Sequence, residues 1–186
     1  MNENVCDYQN LLSAFAILRK FGLLKNKEIT DWADAILAKE ETSTYFLIEI
    51  STTTNTHDLI TVLEKNSANA NRKIVCRAIC GIIYHLLTNK AIELTDSLNV
   101  IHEISYEEQL TKDEQFLLYE FSGISLYDLQ DTYENFCLYK EDYLKLLSIY
   151  KDFALDNYSE WTFIHNRLLL ELAGKLEKLK RDHPYR

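Results

Sequence analysis

The sequence predicts an all-α protein, on three observations. Apolar residues recur at helical spacing along nearly the whole chain of 186 residues. Four glycines and one proline are too few for turn-dense β architecture or for long flexible linkers. Residues that favour helix ends stand at the breaks between apolar stripes. The proline, Pro184, lies beyond the last stripe, so it interrupts no helix in the body of the chain.

Leu11, Phe15 and Leu18 mark a first helix, which Gly22 can close as a left-handed cap. Ile29, Trp32, Ala33, Ile36 and Leu37 mark a second. Thr42 to Thr44 punctuate before the run Tyr45 to Ile50. That run has β-propensity, but an isolated strand has nowhere to pair, so a short helix is expected. Thr52 to Thr56 form a loop, and Leu59, Ile60, Val62 and Leu63 belong to another short helix. The helix from about Arg72 to Leu87 is apolar around most of its circumference, the mark of a central element. Ala91, Leu94, Leu98 and Ile101 stripe the next one. Thr111-Lys112-Asp113-Glu114 fits a capping box ahead of a helix that ends at Gly123. The stretch Ile124 to Asn135 reads as a short helix and a turn. Phe136, Tyr139, Tyr143, Leu146, Tyr150 and Phe153 give the cleanest stripe in the chain. Trp161, Ile164, Leu168, Leu172, Leu176 and Leu179 give a single last helix, expected to pack antiparallel to the one before. With 47% hydrophobic residues the chain can bury a substantial core. The expected architecture is one all-helical domain over 1–186, with room for two small subdomains. It is built as stacked helical hairpins, an irregular bundle or an α-solenoid-like array. No fixed repeat period marks a repeat family.

Composition excludes several functions. Met1-Asn2-Glu3-Asn4 has no basic region leading into an apolar core, so no secretory signal is expected and the cytoplasm is the expected compartment. The most apolar stretch, Ile74 to Leu87, holds Arg77 and His85 and is too short to span a bilayer. A net charge of −9 argues against direct nucleic-acid binding. The basic cluster Lys175, Lys178, Lys180, Arg181 and Arg186 reads as complementing a helix dipole.

No motif for a nucleophile, a phosphate loop or a dinucleotide is present. Cys76 and Cys80 share a helix face, but tetrahedral zinc needs two further ligands, so buried, reduced, structural thiols are expected. Cys6 and Cys137 read as reduced too. His57, His85, His102, His165 and His183 are scattered. His102-Glu103 with Glu107-Glu108 could serve a metal or an acid/base pair if the fold joined them, and exposed helix residues explain them equally. No cofactor and no metal are expected. Gly81, in mid-helix, signals close packing. The tyrosines at 139, 143 and 150 are read as core.

The charge is unevenly placed. The forty residues from Glu103 to Asp142 hold 11 Asp/Glu and 2 Lys, and the rest of the chain balances to zero. Five of the 12 tyrosines fall in the same window. A local acidic field with aromatic anchors suits a basic protein partner. The candidate acids are Glu107, Glu108, Asp113, Glu114, Asp128, Asp131 and Glu134, and the candidate anchors are Tyr106, Tyr127 and Tyr133.

Three segments carry a likeness. Phe21-Gly22-Leu23-Leu24, Ile29-Thr30-Asp31-Trp32-Ala33-Asp34-Ala35-Ile36-Leu37 and Phe46-Leu47-Ile48-Glu49-Ile50-Ser51 resemble small all-helical bacterial proteins of polymorphic toxin and immunity loci. Leu129-Gln130-Asp131-Thr132-Tyr133-Glu134 is similar to their C-terminal half. Members often carry prolines where this chain has Ser43 and Thr44. The resemblance implies a stack of helices, no catalytic residues and a cognate toxin as partner. The expected function is therefore an immunity protein that occludes a basic toxin. The alternatives are a helical adaptor in a larger assembly and a metal-dependent helical hydrolase.

Overall fold

The computed structural model of the chain describes residues 5–39, 44–123 and 133–182. All its regular elements are helical among these residues, and the chain divides into two compact units, Met1–Asn71 and Arg72–Arg186.

The first unit contains α1 (Val5–Lys20), α2 (Asn26–Leu37), α3 (Tyr45–Thr52) and α4 (Thr56–Lys65). α1 packs on α4, α2 on α3, and α3 on α4. Leu11, Phe15, Leu18, Ile29, Phe46, Leu47, Ile50, Leu59 and Leu63 are buried in its core. Gly22 takes φ +76°, as its cap role requires. The Leu23 N–H reaches back to the Leu18 carbonyl at 2.9 Å and the Gly22 N–H to Arg19 at 3.0 Å, which satisfies the last carbonyls of α1. Tyr45 to Ile50 is helical as expected. Phe46, Leu47 and Ile50 face inward at helical spacing, and burial outweighs β-propensity there. Asn55 caps α4 by accepting the His57 and Asp58 N–H groups at 2.8 and 3.3 Å. The Trp32 ring meets Tyr8 and Phe15 edge-on at 5.4 and 5.3 Å.

The second unit contains α5 (Arg72–Thr88), α6 (Leu94–Ser105), α7 (Lys112–Ser122) and α8 (Tyr133–Ser148). A 3₁₀ turn (Leu155–Glu160), α9 (Trp161–Leu169) and α10 (Leu172–Asp182) follow. α5 is central, packing on α6, α8 and α9; α7 packs on α6 and α10. Gly81 has the reason expected of it. A Cβ there would lie 2.6 Å from the Phe153 carbonyl oxygen and closer still to that of Tyr150. Tyr139, Tyr143 and Tyr150 are core residues, and each hydroxyl has a partner. Tyr139 donates to the Phe121 carbonyl, Tyr143 bonds the Ser97 hydroxyl at 3.0 Å, and Tyr150 donates to Glu114 at 3.1 Å.

Three expectations need correction. The last helix is two helices. The Leu170 and Glu171 N–H groups bond residues three back, Arg167 and Leu168, so the ladder of four-residue bonds breaks while the buried stripe Trp161, Ile164, Leu168, Leu172, Leu176 continues in phase. α8 finds its principal partners in α5 and α10 rather than in α9. Ala91 precedes α6 rather than joining it. Lys90, at φ 57°, turns the chain, and the Ala91 N–H returns to the Leu86 carbonyl at 2.8 Å. Of the stretch 124–135, residues 124–132 lie outside the described residues, and α8 begins at Tyr133.

Candidate functional site

The acidic window folds into three kinds of place. Glu114 is fully buried, which removes it from any binding surface. The reason is its position as the third residue of α7. It accepts the Thr111 N–H at 2.9 Å while its own N–H donates to the Thr111 hydroxyl at 3.2 Å, and this capping box faces the core. Glu107 and Asp113 are engaged at the surface. Glu107, half-buried, accepts from Arg72 Nε at 3.0 Å, and Asp113 pairs with Lys180 of α10. Glu108 is exposed, as are Glu103 and Glu120, and none of these three joins an ion pair among the described residues. Tyr127, Asp128 and Asp131 lie outside the described residues, and Tyr133 and Glu134 open α8.

Glu114 anchors a buried polar network. Arg77 Nε donates to its Oε1 and Arg77 Nη2 to its Oε2, both at 2.8 Å, a bidentate fork. Tyr150 donates to Oε1 and the Thr111 hydroxyl to Oε2, at 3.1 and 2.9 Å. Burial by itself would push this carboxyl up, but the guanidinium and the Thr111 donors outweigh it and hold it below the ordinary 4.5. Arg77 Nη1 also donates to His165 Nδ1 at 3.1 Å. A guanidinium cannot accept, so Nδ1 is unprotonated and the ring is neutral. Burial first, then the Arg77 charge, lowers the His165 pKa below 6.5. The network joins α5, α7, α9 and the turn after α8, and every charge in it is matched.

The surface around α6 and α7 carries a second cluster. His102 meets Tyr106 edge-on at 5.1 Å and Tyr119 at 5.7 Å, and the two tyrosine rings stand 6.1 Å apart. Tyr106 is 61% exposed and Tyr119 48%. Both His102 nitrogens are engaged, Nε2 with the Tyr106 hydroxyl and Nδ1 with the Ser122 hydroxyl, each at 3.3 Å. Ser122 also donates to the Tyr119 carbonyl at 3.3 Å, so it accepts from Nδ1. That is the reverse of nucleophile activation, in which the imidazole takes the serine proton. The cluster therefore fixes two exposed aromatic rings. Glu103 lies one turn before Tyr106, Glu108 two residues after it, and Glu120 beside Tyr119. Of these residues, His102, Glu103, Tyr119 and Glu120 were missed as a surface site. Tyr119 and Tyr106 are 13 positions apart, and no periodicity on either helix joins them.

Cys76 and Cys80 are buried free thiols; burial pushes the Cys76 thiol up to about 12 and that of Cys80 well above its usual 9.0. Among the described residues no group of three or more His, Cys, Asp or Glu is placed to hold a metal ion, and no helix is long and apolar enough to cross a membrane. Comparison with protein-family models, with curated proteins and with solved structures finds no match to this chain. The chain is thus defined by its own geometry, as an all-α protein with an exposed tyrosine–histidine cluster on its second unit.

Proposed function

We propose that this chain is a binding protein that captures a basic protein surface at the Tyr106–His102–Tyr119 cluster, and that it acts as an immunity protein occluding a cognate toxin. The observation that carries the first part is the cluster itself: two exposed tyrosines held by a shared histidine, with three exposed glutamates close to them in the chain that join no ion pair among the described residues. Rings already fixed before binding lose little freedom on binding, and buried tyrosines dominate interface energetics. Glutamates at the rim steer a basic partner and add to its rate of arrival. The second part rests on the resemblance of the Phe21–Leu24, Ile29–Leu37 and Phe46–Ser51 segments to immunity-locus proteins. A toxin that acts on nucleic acid presents a basic surface, which such a cluster would cover.

The test is neutralisation. Cells producing the toxin-like product of a neighbouring reading frame are expected to survive when this chain is co-expressed. Tyr106→Ala with Tyr119→Ala is expected to abolish rescue and to raise the dissociation rate of the purified pair about tenfold or more. Glu103→Lys with Glu120→Lys is expected to slow association, and more at low salt than at high. Full rescue by the tyrosine variant, or association indifferent to salt and to charge reversal, would refute the reading.

A further inference from the structure

The basic residues near the end of the chain do more than complement a dipole. α8, the turn after it and α10 line an open groove of about 440 Å³, with Lys145 and Lys151 on one side and Lys175 and Lys178 on the other. Ile149 and Leu179 supply apolar wall. One acidic residue, Asp182, lines it beside the four lysines. Lysines late in α8 and α10 suit the negative end of a helix. Lys175 does not, because it stands in the first turn of α10, where the dipole disfavours a cation. Lys151 lies beyond the end of α8. Lys145 is tied to Asp142 at 2.7 Å and Lys175 to Glu171 at 3.0 Å, whereas Lys151 and Lys178 join no ion pair among the described residues. Two lysines held in ion pairs and two that join none among the described residues thus line one hollow in a chain whose net charge is −9.

We infer that this groove binds a small organic polyphosphate, with the phosphates among Lys145, Lys151, Lys175 and Lys178 and an apolar body against Ile149 and Leu179. The volume falls within the range of small-molecule sites, about 300–1,000 Å³. All the cations are lysines. A compact ammonium on a flexible stem suits the spread charge of a phosphate chain, while carboxylate ligands are better matched by the planar fork of arginine. No arginine lines the groove among the described residues. Small size is required by the field. Charges beyond about 8 Å are screened at physiological salt, so a short ligand meets the four lysines and the few carboxylates beside them, Asp142, Glu171 and Asp182, with two of the lysines outside any ion pair among the described residues. A long polyanion would also meet the acidic surface of the rest of the chain. This site is separate from the tyrosine cluster and does not depend on the binding function proposed above.

The probe is adenosine triphosphate, titrated calorimetrically into the full chain at about 0.15 M salt. Saturable binding is expected, tighter than that of inorganic pyrophosphate, which lacks the apolar body, and tighter than that of the monophosphate. In backbone NMR spectra the amides of Ile149 and Leu179 should shift on titration, and that of Thr61 in the first unit should not. Lys151→Glu with Lys178→Glu is expected to weaken binding about tenfold or more. Lys39→Glu with Lys65→Glu, an equal change of charge in the first unit, should leave it unaltered. Both lysines of the test pair are exposed, so the fold should be retained. If that variant fails to fold, the wild-type shift map and ligand order decide alone. No saturable binding, shifts elsewhere than the groove, equal loss in both charge-reversed variants, or tighter binding of a ten-residue oligothymidylate per phosphate would each overturn the inference.

Discussion

Arg77 shows what a single residue can hide. In the sequence it interrupts an apolar run; in the fold it is 1% exposed and gives its guanidinium to Glu114 and His165. The cap role of Glu114 was legible from Thr111 three positions earlier. Its ion-pair role was not, because Arg77 stands 37 positions away and only tertiary packing brings the two together. Replacing Arg77 by Met would leave a buried carboxylate without its counter-charge. The expected cost is about 3–5 kcal/mol, read from the urea midpoint. Adding Glu114→Leu should recover part of that loss, since no lone charge would remain. Acid should weaken the fold in two stages. His165 binds its proton less readily when folded than when unfolded, so the stability it confers is present above 6.5 and declines as pH falls below that value. Glu114, held below 4.5, confers stability that is present above 4.5 and is lost as pH falls further through its folded value. In His165→Gln the first decline should vanish and the second remain, a result checked by chemical denaturation across pH 3 to 8. An unchanged first stage would remove His165 from the account.

At the scale of elements, helix starts and stops were legible where local chemistry sets them. Gly22, Asn55 and the Thr111–Glu114 box lie at the ends the sequence implied. The break between α9 and α10 was not legible, since the apolar stripe runs through it in phase and no Gly or Pro marks it. Lys90 is the converse case, a turn made at φ 57° by a residue that resists that conformation. Lys90→Gly is expected to raise stability by about 1 kcal/mol, because glycine adopts the left-handed region without strain. Gly81→Ala should act oppositely and more strongly. The added methyl meets backbone carbonyls that cannot rotate away, and overpacking of that kind costs about 1–3 kcal/mol or more. Thermal melts of the two variants would check both signs.

For the molecule as a whole, the charge window was correct as arithmetic but incomplete as a surface. Eleven acids in forty residues suggest one broad acidic face. Folding assigns Glu114 and Asp142 to buried positions and pairs Glu107 and Asp113 with cations. Among the described residues, Glu103, Glu108, Glu120 and Glu141 stay exposed and outside any ion pair, and the first three fall near aromatics that no sequence period had linked. The lysine groove shows the same limit with the opposite sign. Lys175 and Lys178 were visible as part of a basic stretch, but their convergence with Lys145 and Lys151 depends on α8 and α10 lying side by side. Linear composition reports how much charge a chain carries, and packing decides which of it faces solvent.

The double duty of Glu114 has a dynamic consequence. Amides in the first turn of a helix ordinarily exchange with solvent quickly, because the end frays at little cost. Here the N–H of Glu114 is bonded to Thr111, and the side chain of the same residue is locked to the central helix through Arg77. Opening that first turn means separating a buried ion pair. Its deuterium uptake should therefore be nearly as slow as that of the middle of α5, with a protection factor approaching the one set by global unfolding. In Arg77→Met the same amide should exchange at the pace of an ordinary helix end, faster than the change in global stability alone accounts for.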